Sequence, residues 1–231
     1  MSDKKENALV LYAKYPRPGE VKTRLSQGAS GLTAIEASNL YLAILKDLFL
    51  TINNPDNPFK LYICALSHET AFRESFGQYL QFLPDEGDGD LGLSLYRTFQ
   101  IMKQRDYKKV IIMGSDLPLI TTQDLIHGFR QLETQSFVLG PDQSGGCYVI
   151  GARDAYPLFH EIPWSEGRDF HILKNRVLSQ SIDLAILPEV EDIDTMDDFY
   201  RLKNRFQKEG DKLQISKPNL YRFFNMFHVK Q

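Results

Sequence analysis

Cysteine is scarce in this chain. Cys64 and Cys147 are its two cysteines, and each lies in an apolar, strand-like run. We therefore expect buried thiols in a reducing compartment rather than a disulfide or a cysteine metal site. No apolar stretch is long enough to span a bilayer, and the charged residues 1–7 lead into a strand pattern rather than a signal peptide. The sequence thus predicts a cytoplasmic protein with no integral membrane segment.

An excess of charge is also missing. The net charge is −3 and the pI is about 6.0, which argues against a broad surface that tracks the phosphates of DNA or RNA. We therefore expect no nucleic-acid partner, although a local basic pocket is compatible with these totals. No Gly-x-Gly-x-x-Gly follows the first strand, which disfavours a dehydrogenase, and the Walker spacing of glycine and lysine is absent as well.

Internal repeats and low-complexity linkers are absent too, and strands alternate with helices along most of the chain. This alternation favours one doubly wound α/β domain over residues 1–210, with a mostly parallel central sheet flanked by helices. We predict strands at 8–13, 59–65, 79–83, 110–113, 136–141, 147–151 and 182–187, and helices at 33–51, 69–76, 91–107, 123–132, 169–178 and 195–208. We expect the aromatic and basic tail, residues 211–231, to pack on its own body or, in a homodimer, on a second subunit; contact with a membrane surface is a weaker alternative, because the stretch is short.

A short buried strand ends at the most informative residue of the chain. Residues 110–113 are all apolar, the pattern of a central parallel strand. The strand gives way to Gly114, Ser115 and Asp116, and Pro118 forbids any further ladder. A carboxylate at the carboxyl end of a central strand lies where open α/β sheets bind ligands. We hypothesise that Asp116 holds a divalent metal against nucleotide phosphates; the alternative is that it only caps a turn.

A basic loop follows the first strand. Its cations Arg17, Lys22 and Arg24 lie close to the strand end, and Gly19 allows close backbone approach. Lysine supplies a point charge and arginine a two-pronged donor, so this loop can cradle an anion. The alternative is a solvated basic loop.

A second acidic cluster lies at residues 189–198. Asp192 and Asp194 alternate with apolar residues, so their side chains could point together from an extended segment. The alternative is that some of these acids cap the helix that follows.

Two further segments are candidates for substrate contact. Ser144, Gly145 and Gly146 lie between two predicted strands, where adjacent glycines permit either a tight turn or close approach of a ligand. Trp164, the single tryptophan, could wall an acceptor pocket, but it could equally be packed in the core. Asp142, Glu166 and His171 are loose candidates for a general base.

Taken together in this order, the motifs resemble an uncharacterised bacterial family assigned as glycosyltransferases. The matching stretches are residues 18–25, Gly114 to Pro118, Asp192 to Asp198, the glycine-containing segment 140–151 and residues 162–165. Members of this family are associated with radical-SAM or selenium-related proteins and look related to the phospholactate guanylyltransferases. The similarity covers about residues 8–202 and leaves the tail unmatched.

The resemblance implies a Rossmann-like glycosyltransferase-A fold that binds a nucleoside diphosphate sugar, or a nucleoside triphosphate, with Mg²⁺ or Mn²⁺. In that picture Lys22 and Arg24 contact the phosphates. Asp116 is the metal-binding carboxylate, and Asp194, with Asp192, supplies the second acidic ligand. Two carboxylates suit a metal that keeps water and phosphate oxygens in its shell. The acceptor is not identified.

The chain departs from the family pattern at one position. Relatives read Asp-Gly-Gly-Tyr-Tyr, whereas this chain has Ser144, then Gly145 and Gly146. A hydroxyl cannot replace a carboxylate as an anionic ligand or base; Asp142, two residues earlier, is the alternative carboxylate in this segment. The basic loop, the acidic strand ends and the resemblance together make a metal-dependent glycosyltransferase the leading function. The alternatives are a nucleotidyltransferase of the phospholactate guanylyltransferase type and a catalytically impaired nucleotide-binding protein.

Overall fold

The computed structural model describes residues 6–28, 31–66 and 68–227. Within these ranges, seven strands form a single sheet: β1 (Asn7–Ala13), β2 (Lys60–Ala65), β3 (Phe82–Leu83), β4 (Lys109–Met113), β5 (Phe137–Pro141), β6 (Cys147–Ala152) and β7 (Leu184–Ile186). Their order across the sheet is β3-β2-β1-β4-β6-β5-β7. β6 is antiparallel to β4 and β5, whereas the other pairs are parallel. The mostly parallel sheet that the sequence predicts is confirmed.

The centre of the sheet is formed by β1 and β4, whose apolar runs are buried on both faces. All seven residues of β1 are buried, and β1 pairs with β4 in the register Leu9 to Ile111 and Leu11 to Met113. From β1 the chain turns to β2 on one side, while β4 lies on the other. Such a divergence opens a crevice at the carboxyl edge of the sheet, which is the usual ligand site of α/β folds.

Eight helices complete the described part of the chain: α1 (Ala34–Ile52), α2 (Glu69–Phe76), α3 (Leu91–Gln104), α4 (Thr122–Thr134), α5 (Asp169–Ser179), α6 (Met196–Lys208), α7 (Gly210–Ser216) and α8 (Pro218–Met226). Three of them begin with a threonine capping box, at Thr33, Thr121 and Thr195. In each box the threonine accepts from a backbone N–H of the first turn and an acid three residues on accepts from the threonine N–H. The helix starts are therefore encoded locally.

The helices form layers around the sheet. Apolar side chains of α1, α2 and α4 pack on one face, and those of α3 and α5 pack on the other. A third cluster joins the outer side of α1 to α6, α7 and α8. The sheet is thus covered on both faces, as expected for parallel strands.

The C-terminal helices are attached to α1 through a buried acid. Asp47 is fully buried, and its carboxylate accepts hydrogen bonds from the N–H groups of Asn219 (3.0 Å) and Leu220 (2.9 Å) and from the Asn219 side chain (2.7 Å). Pro218 occupies the first turn of α8, where its missing N–H costs nothing. Residues 210–226 therefore pack on their own body; a homodimer through the tail and a domain boundary at residue 210 stay predictions.

Three predicted elements are clearly shorter in the structure than expected, and one of them, the strand at 182–187, is reduced to β7 (Leu184–Ile186). The predicted strand at 79–83 is reduced to β3, because Tyr79 is 99% exposed and the chain is still turning after Gly77, whose φ is +127°. The helix predicted at 91–107 ends at Gln104, since Asp106 adopts φ +66°. None of the described helices is long and apolar enough to cross a membrane. Residues 1–5 and 228–231 of the predicted domain and tail lie outside the described residues.

Candidate functional site

A cleft of about 850 Å³ opens at the carboxyl edge of the sheet. Its floor is formed by the ends of β1 and β4 and by the start of β6. The loop after β1, the segment 142–147, the loop 164–169 and residues 192 and 194 line its walls. Lys22, Arg24, Asp116, Asp192 and Asp194 all contribute to the lining. The cleft therefore brings these five residues together, although Lys22 and Asp194 are 172 positions apart in the sequence.

Lys22 lies at the centre of this arrangement. Its backbone is left-handed, with φ +51°, where it precedes a short 3₁₀ helix, Thr23–Ser26. Its side chain is 3% exposed, and its Nζ lies 2.9 Å from Asp116 Oδ2. The same ammonium donates a short hydrogen bond to the carbonyl oxygen of Ile193. Lys22 thus joins the loop after β1, the end of β4 and the acidic segment near residue 193.

Asp116 itself follows β4 and is half exposed, with 49% of its side chain accessible. The neighbouring Ser115 is buried and shares a 2.6 Å hydrogen bond with Tyr41 of α1. Burial raises the pKa of the Tyr41 hydroxyl, and the charge of Asp116 adds to the rise, so Tyr41 stays protonated. The hydrogen bond between Ser115 and Tyr41 therefore fixes the chain at the end of β4, while the carboxylate of Asp116 faces the cleft.

Arg24 and Asp194 form a second ion pair at the rim of the cleft. The guanidinium donates to Asp194 Oδ2 and also lies 3.4 Å from the carbonyl oxygen of Ser165. The side chain of Arg24 is 55% exposed and that of Asp194 is 28% exposed. Arg24 therefore contacts the acidic segment at Asp194 and the loop at Ser165 through a side chain that is more than half exposed.

Asp192, unlike Asp116 and Asp194, forms no ion pair within the described residues. Burial raises its pKa to about 6, the charge of Asp142 adds to the rise, and Lys22 opposes it. Asp142 and Asp192 come close because residues 142 and 190 pair as a short parallel bridge beyond the ends of β5 and β7. A concentration of negative charge that lacks a full complement of cations favours binding of a positive ion.

The turn at 142–146 is stabilised by Asp142. Its Oδ1 accepts hydrogen bonds from Ser144 N (3.0 Å), Ser144 Oγ (2.7 Å) and Gly146 N (2.8 Å). Gly145 has φ +87°, and a Cβ there would lie 2.2 Å from the carbonyl oxygen of Gly167. The glycines are therefore explained by the turn and by close packing of this segment against the 164–169 loop.

Trp164 and Asp169 cover the opposite wall. Trp164 lines the cleft, and a Cβ on Gly92 of α3 would lie 3.1 Å from its Nε1. Asp169, the first residue of α5, is 6% exposed; its Oδ2 accepts from Ser165 N at 2.9 Å, and its Oδ1 has no partner among the described residues. Sequence reasoning missed Asp169 as a site residue. Its only signal is an acid at a helix start directly after the tryptophan loop.

Several predicted contact residues lie elsewhere. Within the described ranges, the lining of the cleft does not include Arg17, Gly19 or Gly145. Arg17 and Gly19 are exposed. His171 is exposed on α5, with its ring against Phe170, and also lies outside the lining. The substrate-binding roles assigned to Arg17, Gly19 and Gly145 stay predictions.

The donor set of the cleft suits an oxygen-preferring cation. Asp116, Asp192 and Asp194 provide carboxylate oxygens without histidine or thiolate partners, which fits Mg²⁺ or Mn²⁺ rather than Zn²⁺. The described residues hold no group of three or more acidic, histidine or cysteine side chains arranged to bind an ion unaided. Such a site would take further ligands from phosphate and water.

Comparison with solved structures identifies the fold. A "putative nucleotide-diphospho-sugar transferase" from Desulfovibrio desulfuricans G20 superposes with a TM-score of 0.83 at 24% identity, over 95% of this chain and 94% of that one. A cytidylyltransferase from Leptospira borgpetersenii is similar at a TM-score of 0.53 and 12% identity, over 98% and 99% of the two chains. A 4-diphosphocytidyl-2C-methyl-D-erythritol synthase from Anaerococcus prevotii gives 0.52 and 13%, over 89% and 98%. The predicted glycosyltransferase-A type of fold is confirmed.

The sequence comparisons give a family. No curated protein matches the chain. The model of a bacterial family, described as "uncharacterized protein conserved in bacteria" (DUF2064), matches residues 51–166, which is half of the 231 residues. The match includes Asp116, Asp142 and Trp164, and the association with radical-SAM or selenium-related proteins and the kinship with phospholactate guanylyltransferases stay predictions. The chain belongs to the bacterial family DUF2064.

Proposed function

We propose that this protein is a metal-dependent transferase that uses a nucleotide-activated sugar. The observation that carries the proposal is the 2.9 Å contact between Lys22 and Asp116 in a cleft shared with the Arg24–Asp194 pair. Cations and carboxylates placed together at the carboxyl edge of a sheet are what a metal–diphosphate group requires. The fold shared with the D. desulfuricans protein supports this choice of substrate.

In the proposed reaction, Asp116 and Asp194 hold the divalent ion, with Asp192 beside them. The ion would neutralise charge on the leaving diphosphate. Arg24 and Lys22 would donate to the phosphate oxygens and so stabilise the negative charge that develops on the leaving diphosphate. Trp164 walls the side where the acceptor would lie. The acceptor hydroxyl would lose its proton to a carboxylate of the cleft, for which Asp142 and Glu166 are candidates.

The test is calorimetric titration of UDP-, GDP- and CDP-sugars and the corresponding nucleoside triphosphates, with and without Mn²⁺. We expect at least one nucleotide to bind more tightly with the metal, and Asp116→Asn to remove that gain. The matched control is Asp106→Asn, because Asp106 lies at the other end of β4 and its left-handed backbone, φ +66°, suits asparagine. Equal binding with and without Mn²⁺ for every nucleotide would refute the proposal.

A second candidate keeps the site but changes the chemistry to nucleotidyl transfer. It is favoured by the fold shared with the two cytidylyltransferase-type enzymes. In this case a nucleoside triphosphate is consumed and pyrophosphate is released. A pyrophosphate assay across the common nucleoside triphosphates separates the two activities, since transfer of a sugar releases a nucleoside diphosphate instead.

A third candidate is a nucleotide-binding protein with impaired catalysis. Ser144 motivates it, because its hydroxyl is engaged with Asp142 and supplies no carboxylate of its own. Turnover of any nucleotide sugar by the purified protein would exclude this candidate.

A further inference from the structure

Both carboxylates proposed as metal ligands already have a cation beside them. Lys22 Nζ lies 2.9 Å from Asp116, with the lysine side chain 3% exposed. Arg24 is paired with Asp194 at the rim of the cleft. The two cations proposed to hold phosphate are therefore the same two that neutralise the acids proposed to hold metal.

We infer that the site admits a divalent cation and a diphosphate together and discriminates against either one alone. The inference rests on the proposed function and adds that the metal ion and the diphosphate bind together. It follows from the pairing of Lys22 with Asp116 and of Arg24 with Asp194. When metal and diphosphate enter, each of these side chains must either share its present partner with the ligand or release it.

The charges of the cleft give the physical reason. A free divalent ion that reaches Asp116 and Asp194 meets two positive side chains in direct contact with its ligands, and like charges at that distance repel strongly where solvent is limited. A free diphosphate that reaches Lys22 and Arg24 meets Asp116, Asp192 and Asp194 instead. The complex of both presents positive charge to the acids and negative charge to the bases. Binding of each component therefore favours binding of the other, and the coupling is reciprocal.

The two cations can take part in different ways. An ammonium has three N–H donors, and Lys22 uses two of them on Asp116 and Ile193, so one is left for a phosphate oxygen without any large movement. Arg24 is more than half exposed and can turn from Asp194 to a phosphate. Lys22 is thus the fixed donor, and Arg24 is the one that exchanges.

The decisive measurement is the binding of Mn²⁺ alone, which is monitored through the electron paramagnetic resonance signal of the free ion. We expect weak binding to the native protein and binding at least about fivefold tighter to Arg24→Gln, because the competing pair is gone. The matched control is Lys14→Gln. Lys14 lines the same cleft and makes no ion pair within the part of the chain that the structure describes, so it reports the general loss of one positive charge.

A second variant tests the buried pair. Lys22→Met keeps a straight side chain in the left-handed backbone and removes the ammonium; we expect Mn²⁺ alone to bind about tenfold tighter, in protein whose circular dichroism is native. Calorimetry with UDP, GDP and CDP, without metal, should show weaker binding to both variants than to the native protein.

Two results would count against the inference, and they are distinct. If the native protein binds Mn²⁺ with none of the three diphosphates, the proposed function fails. If it binds the mixture but Arg24→Gln takes up Mn²⁺ alone no more tightly than Lys14→Gln, the proposed function stands and the coupling through the ion pairs is wrong.

Discussion

Asp116 and Asp192 lie in the same cleft but differ in how their charge is compensated. Asp116 has Lys22 at 2.9 Å, whereas burial, with the nearby charge of Asp142, raises the pKa of Asp192 to about 6. The native state therefore holds a proton on Asp192 more firmly than the unfolded chain, in which the pKa of an aspartate is about 3.9. Stability is lost as the pH rises from the unfolded to the folded pKa.

Because the ionised Asp192 lowers the stability of the folded protein above its pKa, we predict that Asp192→Asn stabilises the protein in the absence of metal. The gain should be about 1–2 kcal/mol above pH 6, after allowance for partial solvent screening, and should vanish at about pH 4. Thermal unfolding at several pH values measures it. Asp194→Asn is the control, since it breaks the pair with Arg24 and should give no gain. A stability gain for Asp192→Asn that is the same at pH 4 and pH 7 would contradict the explanation.

At the scale of single residues, the sequence predicted that Lys22 and Asp116 lie in one site, but not the conformation and burial of their side chains. Because the carboxyl ends of parallel strands share one edge, Lys22 and Asp116 were expected to converge, and their contact confirms that they do. The burial of Lys22 could not be predicted, because it depends on a left-handed backbone and on the carbonyl oxygen of Ile193, which lies 171 residues away in the chain. Asp169 was missed because its burial comes from tertiary packing.

At the scale of elements, the glycine turn after β5 and the loop before α5 are packed backbone against backbone. Gly145 approaches Gly167 so closely that a Cβ would lie 2.2 Å from its carbonyl oxygen, and Phe170 N donates to the Gly145 carbonyl at 3.2 Å. This contact holds together two walls of the cleft. The sequence left open whether these glycines serve a turn or a ligand. The turn and the contact with Gly167 account for a glycine at position 145, and a role for Gly145 and Gly146 in ligand binding stays a prediction.

We predict that Gly145→Ala destabilises the protein by about 2–4 kcal/mol, through the clash and the positive φ together. Gly19→Ala isolates the backbone effect, because Gly19 has φ +82° with no atom near its Cβ position; it should cost about 1 kcal/mol. Urea denaturation of both variants measures the difference. Equal losses for the two would show that the contact with Gly167 contributes nothing.

The boundaries of the elements show which signals are local. Helix starts at Thr121 and Thr195 are fixed by capping boxes, in which the acid stands three residues on, and these are readable from sequence. The strand predicted at 79–83 was too long because Leu80, although buried, lies in a turn and not in the sheet. Apolar content alone does not separate the two cases.

At the scale of the whole molecule, the third helical layer depends on Asp47. Its carboxylate is fully buried and accepts three hydrogen bonds from the start of α8. Lys217 is buried nearby and donates to the carbonyl oxygen of Ile120 at 2.8 Å. Two charged residues thus hold α8 between α1 and the loop after β4, where apolar contacts alone would leave the orientation of the helix less well defined.

We predict that Asp47→Asn lowers the free energy of unfolding by about 2–3 kcal/mol, because the amide cannot accept with both of its groups and the charge-assisted bonds are lost. Asn219→Ala removes a single side-chain donor and should cost about 1 kcal/mol. Urea denaturation followed by circular dichroism measures both. If Asp47→Asn were as stable as the native protein, the buried carboxylate would not hold the helices in place.

The bond between Asp47 and Asn219 also has a consequence for synthesis. The two residues are 172 positions apart, so at a ribosomal speed of about 5–20 residues per second the carboxylate waits roughly 10–30 s for its donors. During that interval the carboxylate and the apolar outer side of α1, which α6, α7 and α8 cover in the finished protein, face water. We therefore expect a chain interrupted before Asn219 to be cleaved more readily by proteases than the finished protein.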